Sequence, residues 1–174
     1  MSDHHASAKS ITARVAVVTL SDTRTRDTDT SGQRIRDLLT ADGHAIAAYH
    51  LIRDNPDQLS TLLTTLLANP DVDAVVTNGG TGIAARDFTL AAVDRAVATP
   101  LPGFGEIFRM LSYDQVGAAA ILSRATAGIS APNASPDGRR KPIFALPGST
   151  KAVDLGVTKL VLPELRHILW ELQK

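Results

Sequence analysis

The sequence predicts an α/β fold in which a mostly parallel sheet is covered by helices on both faces. Short apolar, β-branched runs, which are typical of buried strands, occur at residues 14–20, 45–52 and 72–77. They are nearly continuous in hydrophobicity rather than alternating, as expected for strands that are buried on both sides. Each is followed by a segment typical of a helix, and this alternation is the pattern of parallel α/β sheets.

The first predicted strand, RVAVVTL (14–20), leads through a long polar loop, SDTRTRDTDTSG, into a helix. Ile35, Leu38 and Leu39 have the i, i+3, i+4 spacing of one helical face. Gly43 follows them and can adopt the left-handed conformation in which many helices end. The polar loop is therefore expected to connect a strand to a helix.

The second predicted strand, AIAAYHLI (45–52), is followed by a helix with clear signals at both ends. Asn55 is a good N-cap residue, and Pro56 suits the first turn because an N–H has no intrahelical partner there. Asn69 and Pro70 stop the helix. Its apolar face is an unbroken leucine stripe, which consists of Leu59, Leu62, Leu63, Leu66 and Leu67.

The third predicted strand, VDAVVT (72–77), runs into TNGGTGIAARD (77–87), which has three glycines within four positions. Glycine reaches positive φ at no steric cost and lets another group approach bare backbone. The alanine-rich segment FTLAAVDRAVA (88–98) predicts a helix. Strand, glycine turn and helix together form an arrangement that directs backbone N–H groups at a phosphate.

The second half of the chain is predicted to contain a short helix, a strand, a strand pair and a helical end. The helix lies in GFGEIFRMLSYDQVG (103–117), and AAAILSR (118–124) is predicted to be a strand. AGISAP and KPIFALPG are predicted to pair around a polar tip, which would add antiparallel character near 127–147. From Ser149 onward the chain is predicted to be helical, with Pro163 as a kink or restart.

Composition is typical of an ordinary globular protein, with 44% hydrophobic and 21% charged residues. A chain of 174 residues is long enough for one domain with a substantial core. We therefore predict a flexible N-terminal tail over 1–12 and a single domain over 13–174. No apolar run approaches the ~20 residues that a membrane helix needs, so a cytoplasmic protein without a membrane partner is expected.

Charge and residue usage exclude several classes of function. Eighteen Lys and Arg residues balance 18 Asp and Glu residues, so no general attraction to nucleic acid is expected. The basic run at 139–141 is predicted to be a solvated loop, since no aromatic residue accompanies it. The chain has no cysteine, which excludes disulfides, zinc thiolate sites and thiol nucleophiles.

The segments that follow the strands are rich in glycine, hydroxyl groups or charge. They are SDTRTRD (21–27), RDNPD (53–57), NGGTG (78–82) and LPGST (146–150). Ligands of open α/β sheets bind beyond the carboxyl ends of the strands. We therefore expect these four loops to converge on one ligand site.

The two glycine loops have ordinary explanations beside the functional one. NGGTG is compatible with a simple tight turn. It is not a Walker A loop because no lysine follows Gly82, and it lacks the following strand with an acidic end that a dinucleotide fingerprint requires. Ser149 or Thr150 would serve as an ordinary helix N-cap. A capped helix start beside a glycine loop is nevertheless a suitable place for a phosphate.

Asp54 and Asp87 are both compatible with a helix start, where a carboxylate interacts favourably with the helix dipole. Their positions after neighbouring strands, beside a phosphate-type loop, favour a second hypothesis in which both bind Mg²⁺. This ion commonly takes one or two carboxylates together with substrate phosphates. The residues by themselves thus predict a phosphate- or nucleotide-binding domain with a Mg²⁺ site, and they leave the substrate open.

Three segments together resemble the molybdenum cofactor biosynthesis proteins of the MoaB/MogA type and the G domain of gephyrin. They are TNGGTGIAARD (77–87), PGFGEIFRMLSYDQVGAAAILSRATAG (102–128) and IFALPGSTKA (143–152). The similarity begins at the SDTR…DTSG loop and continues through the final helix, and the GFGEIFRMLS and STKA segments resemble the MoaB branch in particular. The resemblance implies a three-layer α/β/α fold with a mostly parallel, mixed sheet, assembled as a homotrimer or homohexamer.

The resemblance also implies an activity, the Mg²⁺-dependent adenylylation of molybdopterin by ATP with release of pyrophosphate. Asp54 and Asp87 match the two critical aspartates of the family and would serve catalysis and the metal. The implied nucleotide-binding residues are Gly79, Gly80, Thr81, Gly82, Pro147, Gly148 and Ser149. The implied molybdopterin-binding residues are Ser21, Asp22, Ser123, Arg124, Glu106 and Arg109. Other molybdenum cofactor biosynthesis proteins are implied as partners.

Two alternative functions remain open at this point. The first is a non-catalytic molybdopterin-binding protein, against which the presence of both aspartates argues. The second is a nucleotide-pyrophosphate hydrolase, because the domain also resembles the N-terminal part of competence-damage-inducible proteins. The LSR and GFGEIFR segments favour the cofactor family over this second class.

The segment PLPGFGEIFRML (100–111) predicts that it or its neighbours form a contact between subunits. It has more large apolar residues than the core-facing side of one short helix needs. Such a surplus is typical of a surface that is covered by another chain.

Overall fold

A six-stranded mixed sheet forms the centre of the protein, as the computed structural model describes it over residues 11–83 and 89–174. Its strands are β1 (Arg14–Leu20), β2 (Ala45–Ile52), β3 (Ala74–Asn78), β4 (Val97–Pro100), β5 (Thr126–Ser130) and β6 (Pro142–Leu146). The spatial order is β2-β1-β3-β6-β5-β4. The first four strands in this order are parallel, and β5 is antiparallel to both β6 and β4.

Helices connect the strands and cover both faces of the sheet. They are α1 (Thr30–Ala41), α2 (Pro56–Ala68), α3 (Thr89–Ala96), α4 (Pro102–Val116), α5 (Thr150–Gly156) and α6 (Leu162–Glu171). Short 3₁₀ helices occupy Gly117–Leu122 and Pro132–Ala134, and a π-helical turn over Val157–Val161 joins α5 to α6. Among the described residues, none of the helices combines the length and the apolar character needed to cross a membrane.

Alternation along the strands divides the core into two layers. Val15 and Val17 of β1 face one cluster, which includes apolar residues of α1, α4, α5 and α6. Ala16 and Val18 face the other cluster, to which α2 and α3 contribute. Because successive strand residues point to opposite faces, one continuous apolar run supplies both layers. The predicted three-layer α/β/α fold with a mostly parallel sheet is confirmed.

Several local predictions are confirmed to the residue. β1 and β2 span 14–20 and 45–52 as predicted. The side chain of Asn55 accepts hydrogen bonds from the backbone N–H groups of Asp57 and Gln58, with Pro56 in the first turn of α2. The predicted pair of strands is β5 and β6.

The C-terminal helix restarts near Pro163, as predicted. A proline ring in a regular helix would clash with the carbonyl four residues earlier. Here the wider π turn ends immediately before α6, and the proline lies in the first turn of that helix.

Two predictions for the second half are wrong. The segment 118–124, predicted to be a strand, lies mostly in a 3₁₀ helix, and its Ile121 and Leu122 are 76% and 49% exposed. The helix predicted over 88–98 ends two residues earlier, because Val97 and Ala98 belong to strand β4, at Val97–Pro100. This strand forms at the sheet edge against β5, where Gly128 opposes Pro100 and leaves room for the side chain of Val97. Short apolar runs do not distinguish these alternatives, so tertiary pairing decides them.

The basic run at 139–141 is also different from the predicted solvated loop. Lys141 is only 1% exposed, and its Nζ donates hydrogen bonds of 2.6 Å to the carbonyls of Leu67 and Asn69 at the end of α2. Arg139 forms ion pairs with Asp73 and Asp137. The buried ammonium group thus fills the place of a helix C-cap, where a cation is favourable.

Candidate functional site

The strand-end loops converge on one open cavity of about 590 Å³. Its walls come from residues 20–24, 54, 79–82, 122–123 and 147–149. The cavity lies at the carboxyl ends of β1 and β3, where the chain reverses the direction in which it adds strands. This is the position at which open α/β sheets bind ligands, and the volume is in the range of small-molecule sites. The four loops that were predicted to converge do line one cavity.

The glycine turn after β3 depends on the absence of side chains. Gly79 and Gly80 have φ of 98° and 60°, which favour glycine over residues with a Cβ. A Cβ on Gly79 would overlap the carbonyl oxygen of Leu20, and a Cβ on Gly148 would lie 3.1 Å from the Cα of Gly79. The two glycine loops are therefore packed backbone to backbone, which brings NGGTG and LPGST to the same wall of the cavity.

The LPGST loop starts the final helical segment. The hydroxyl of Ser149 accepts a hydrogen bond of 3.2 Å from the backbone N–H of Ala152, so it is the N-cap of α5. Thr150 is 3.1 Å from Thr30, between their hydroxyl oxygens, and this contact joins the starts of α5 and α1. The N-cap role of Ser149 is confirmed, and Pro147 and Gly148 line the cavity beside it.

A buried polar network, which sequence patterns did not predict, lies behind the first loop. Asp29 is 1% exposed and caps α1, accepting hydrogen bonds from the Gly32 N–H at 3.0 Å and the Tyr49 hydroxyl at 2.7 Å. Burial would raise the pKa of the Asp29 carboxyl, but hydrogen bonds from Thr19, Tyr49, Gly32 and Ser31 outweigh it and hold the pKa below its ordinary value. Asp29 is therefore an ionised carboxylate in the interior.

Arg24 connects this network to the cavity wall. Its guanidinium donates to Asp29 at 3.3 Å and to the carbonyl of Gly148 at 3.0 Å, and it also contacts the hydroxyl of Ser31. Ser31 in turn donates to Asn78 at 2.9 Å, just before the glycine turn. One side chain thus ties the first loop to both glycine loops. Arg24 belongs to the SDTRTRD segment that was expected at the ligand site, but neither Arg24 nor the DTSG segment is among the predicted site residues.

Ser21 and Asp22 lie on the cavity wall and organise the first loop. The Ser21 hydroxyl accepts hydrogen bonds from the backbone N–H groups of Thr23 and Arg24, at 3.3 and 3.1 Å. Asp22 accepts one of 3.3 Å from the backbone N–H of Asp54. This contact places the second strand-end loop beside the first.

The structure places Asp54 beside the glycine turn, where its carboxylate oxygens lie 2.7 and 2.9 Å from the point that a Cβ on Gly80 would occupy. The position of Asp87 lies outside the described residues. Within 11–83 and 89–174, no three His, Asp or Glu side chains group closely enough to hold a metal by themselves. A single carboxylate such as that of Asp54 is chemically compatible with Mg²⁺, because that ion can take its remaining ligands from water and phosphate.

Arg124 contacts the end of the glycine turn and lines a neighbouring cavity rather than the main one. Arg124 donates to the backbone carbonyls of Thr81, at 3.2 Å, and of Gly82, so it fixes the far end of the turn. Ser123 lines the main cavity and also a neighbouring one of about 480 Å³.

Glu106 and Arg109 project from α4 into that neighbouring cavity rather than into the main one. Arg109 donates a hydrogen bond of 3.4 Å to the Ser123 carbonyl. The predicted pterin residues are thus distributed over two adjoining cavities that share Ser123.

Comparison with known proteins agrees with this geometry. The family model "Probable molybdopterin binding domain" matches residues 16–167. Molybdenum cofactor biosynthesis protein B of Halalkalibacterium halodurans is 48% identical over 94% of this chain and 92% of its own length. A crystal structure of a molybdenum cofactor biosynthesis protein B, 42% identical, superimposes with a TM-score of 0.87 over 94% of this chain and 97% of that one.

A more distant structure has the same fold. The tungsten cofactor synthesizing protein MoaB from Pyrococcus furiosus is 34% identical, with a TM-score of 0.80 over 94% of this chain and 98% of that one. Matches of this length and identity cover nearly all of the sheet and of the cavity loops. The chain therefore belongs to the molybdopterin-binding domain family of molybdenum cofactor biosynthesis proteins, in which its relatives are of the MoaB type.

Proposed function

We propose that this protein adenylylates molybdopterin with Mg²⁺ and ATP and releases pyrophosphate. The observation that carries the proposal is the convergence of two glycine loops and a carboxylate, that of Asp54, on one cavity. Molybdopterin ends in a phosphate, and ATP supplies three more. A site for this reaction must therefore hold several phosphates close to a metal.

The reaction needs no nucleophilic side chain. An oxygen of the molybdopterin phosphate attacks the α-phosphorus of ATP and forms a new P–O bond. The bond from the α-phosphorus to the oxygen that bridges to the β-phosphorus breaks, and pyrophosphate leaves. Such transfers depend on positioning and charge neutralisation, and a bound Mg²⁺ would supply part of that charge. A chain without cysteine is compatible with this chemistry.

Each wall of the cavity has a part in the proposed reaction. The backbone of Gly79–Gly82 and Pro147–Ser149 would hold the phosphates of ATP, because bare backbone allows close approach. Asp54, and Asp87 beyond the described residues, would hold Mg²⁺. Ser21, Asp22, Ser123 and Arg124 would contact the pterin, with Glu106 and Arg109 in the adjoining cavity. Because ATP is required, we expect the reaction to take place in the cytoplasm.

Substitution of Asp54 tests the proposal. The Asp54→Asn variant should form adenylylated molybdopterin about a hundredfold more slowly than wild type, since loss of one charge-positioning group costs about 3 kcal/mol in the transition state. Asp87→Asn should behave in the same way. Molybdopterin affinity and melting temperature should stay near wild type, because Asn55 rather than Asp54 provides the N-cap side chain of α2.

Asp57→Asn is the matched control, because Asp57 is the acidic residue of the first turn of the same helix and does not line the cavity. Product would be detected by chromatography and pyrophosphate by a coupled assay. Wild type that binds molybdopterin but forms no product would indicate a non-catalytic binding protein. Cleavage of ADP-ribose without adenylylation of molybdopterin would indicate a hydrolase.

An exposed apolar face supports a homo-oligomer. Met110, Tyr113 and Val116 of α4 are 63%, 61% and 55% exposed, and Ile121 follows on the 3₁₀ helix. We expect a second copy to cover this face in a homotrimer or homohexamer, because contiguous exposed apolar patches mark interfaces. Light scattering should give an oligomer for wild type and a smaller species for Met110→Glu. A wild-type monomer at micromolar concentration would refute this, and co-purification would reveal partners among other molybdenum cofactor biosynthesis proteins.

A further inference from the structure

Thr89, at the start of α3, is buried, and only 1% of its surface is exposed. Within residues 11–83 and 89–174, its Oγ1 finds no hydrogen-bond partner. A buried polar group without a partner destabilises a fold. Valine has nearly the same shape without the hydroxyl, so packing alone does not explain why threonine stands here.

The hydroxyl lies beside the predicted catalytic carboxylate. A Cβ on Gly80 would overlap Thr89 Oγ1 and would lie 2.7 Å from Oδ1 and 2.9 Å from Oδ2 of Asp54. The Thr89 hydroxyl and both carboxylate oxygens of Asp54 therefore surround one point beside Gly80. Glycine at position 80 leaves this point open, and its φ of 60° keeps the position suited to glycine.

Rotation of the Asp54 carboxylate is the movement that would join the two side chains. The terminal torsion of an aspartate is broad rather than confined to narrow wells, so its carboxylate can turn toward a neighbouring donor at little energetic cost. Thr89 offers the donor, and a hydrogen bond from a hydroxyl to an ionised carboxylate is one of the stronger kinds.

We propose that Thr89 is a positioning residue, whose hydroxyl donates a hydrogen bond to the Asp54 carboxylate when a metal–nucleotide complex is bound. This inference rests on the proposed function in one respect, because it takes a metal–nucleotide complex as the ligand of the cavity. The bond holds one carboxylate oxygen toward Thr89 and leaves the other directed at the cation. Side chains that hydrogen-bond to a metal ligand in this way orient the ligand and contribute strongly to metal affinity.

Two variants at position 89 separate this role from packing. Thr89→Val removes the donor and keeps the shape, whereas Thr89→Ser keeps the donor. The probe is Mn²⁺ with α,β-methylene ATP, an analogue that cannot transfer its adenylyl group, and binding is followed by electron paramagnetic resonance. Thr89→Val should bind the complex about tenfold more weakly, and Thr89→Ser should stay within about threefold of wild type.

Thermal unfolding without ligand gives the second readout. Thr89→Val should melt at the wild-type temperature or about 2–4 °C above it, because a buried hydroxyl without a partner is removed. In an Asp54→Asn background, Thr89→Val should weaken binding no further, since the two residues act as one unit.

Wild-type affinity in Thr89→Val would overturn the proposal. So would an equal loss of affinity and melting temperature in both variants, because that result indicates packing. An additive loss in the double variant would exclude action through Asp54. The measurements require no turnover, so absence of adenylylated product in wild type would refute the proposed reaction and leave this inference standing.

Discussion

Replacing Asp29 with asparagine tests whether the buried network behind the cavity is ionic. The substitution keeps size and shape and removes the charge. In wild type one oxygen accepts from Gly32, Ser31 and Arg24, at 3.0, 3.2 and 3.3 Å, and the other accepts from Tyr49 at 2.7 Å. An amide has only one accepting oxygen. Its NH₂ group must therefore face donors on one side.

The magnitude follows from these contacts. The favourable orientation keeps the amide oxygen toward Arg24, Ser31 and Gly32, while the Tyr49 hydroxyl turns to accept from the NH₂ group. The hydrogen bonds from Arg24, Ser31 and Gly32 then meet a neutral amide oxygen instead of a carboxylate, and each is weakened by about 1 kcal/mol. A loss of about 3 kcal/mol lowers the melting temperature of a domain of this size by roughly 6–12 °C.

Calorimetry of wild type and Asp29→Asn measures this loss, with Asp27→Asn as the control from the exposed part of the same loop. The pKa of Asp29 is lowered from 3.8 in the folded state, so its contribution is present above that pH and is lost as the pH falls through the folded value. The difference between the two proteins should accordingly shrink below pH 3.8. A variant that melts within 1 °C of wild type at pH 7 would refute an ionised Asp29.

Two further predictions concern stability away from the cavity. Burial lowers the pKa of His44 from 6.5, and its Nδ1 accepts the Ala13 N–H at 3.1 Å, so stability should be lost as the pH falls below 6.5. One titrating group can change the free energy of unfolding by at most about 1.4 kcal/mol per pH unit. Unfolding in urea at several pH values should show that the stability of His44→Asn depends less on pH than that of wild type. Lys141→Met removes the two 2.6 Å hydrogen bonds to the end of α2 and should reduce the free energy of unfolding by about 2 kcal/mol. Equal denaturation midpoints for this variant and wild type would contradict the role of Lys141 as a cap.

Much of the site was accessible from the sequence because its signals are local. Gly79 and Gly80 adopt positive φ as the NGGTG turn predicts, and Ser149 caps the helix that LPGST begins. The convergence of four loops follows from a general rule of parallel sheets, in which all carboxyl ends meet at one edge. Asp54 follows the carboxyl end of β2 and therefore lies at this edge of the sheet as well.

The contacts behind the cavity were not accessible in this way. Arg24 and Gly148 are 124 positions apart, and Asn78 meets Ser31 across 47. No periodicity or spacing encodes such pairs, since each depends on which strands become neighbours. The same holds for Lys141, whose charge indicated a solvated loop and whose partners lie at the end of a helix more than 70 positions away.

Local sequence patterns were sufficient to predict the α/β class, the spans of β1 and β2, the caps of α2 and α5, and the loops that surround the cavity. These features depend on interactions within a few residues or on the burial of apolar runs, and both can be recognised in a short stretch of sequence. Long-range contacts were needed to establish that 117–122 is a 3₁₀ helix and 97–100 an edge strand, and that Thr89 lies beside Asp54. At those positions the local preferences for helix and strand are nearly equal or do not bear on the contact. The free energy of packing and of long-range hydrogen bonding therefore selects the conformation.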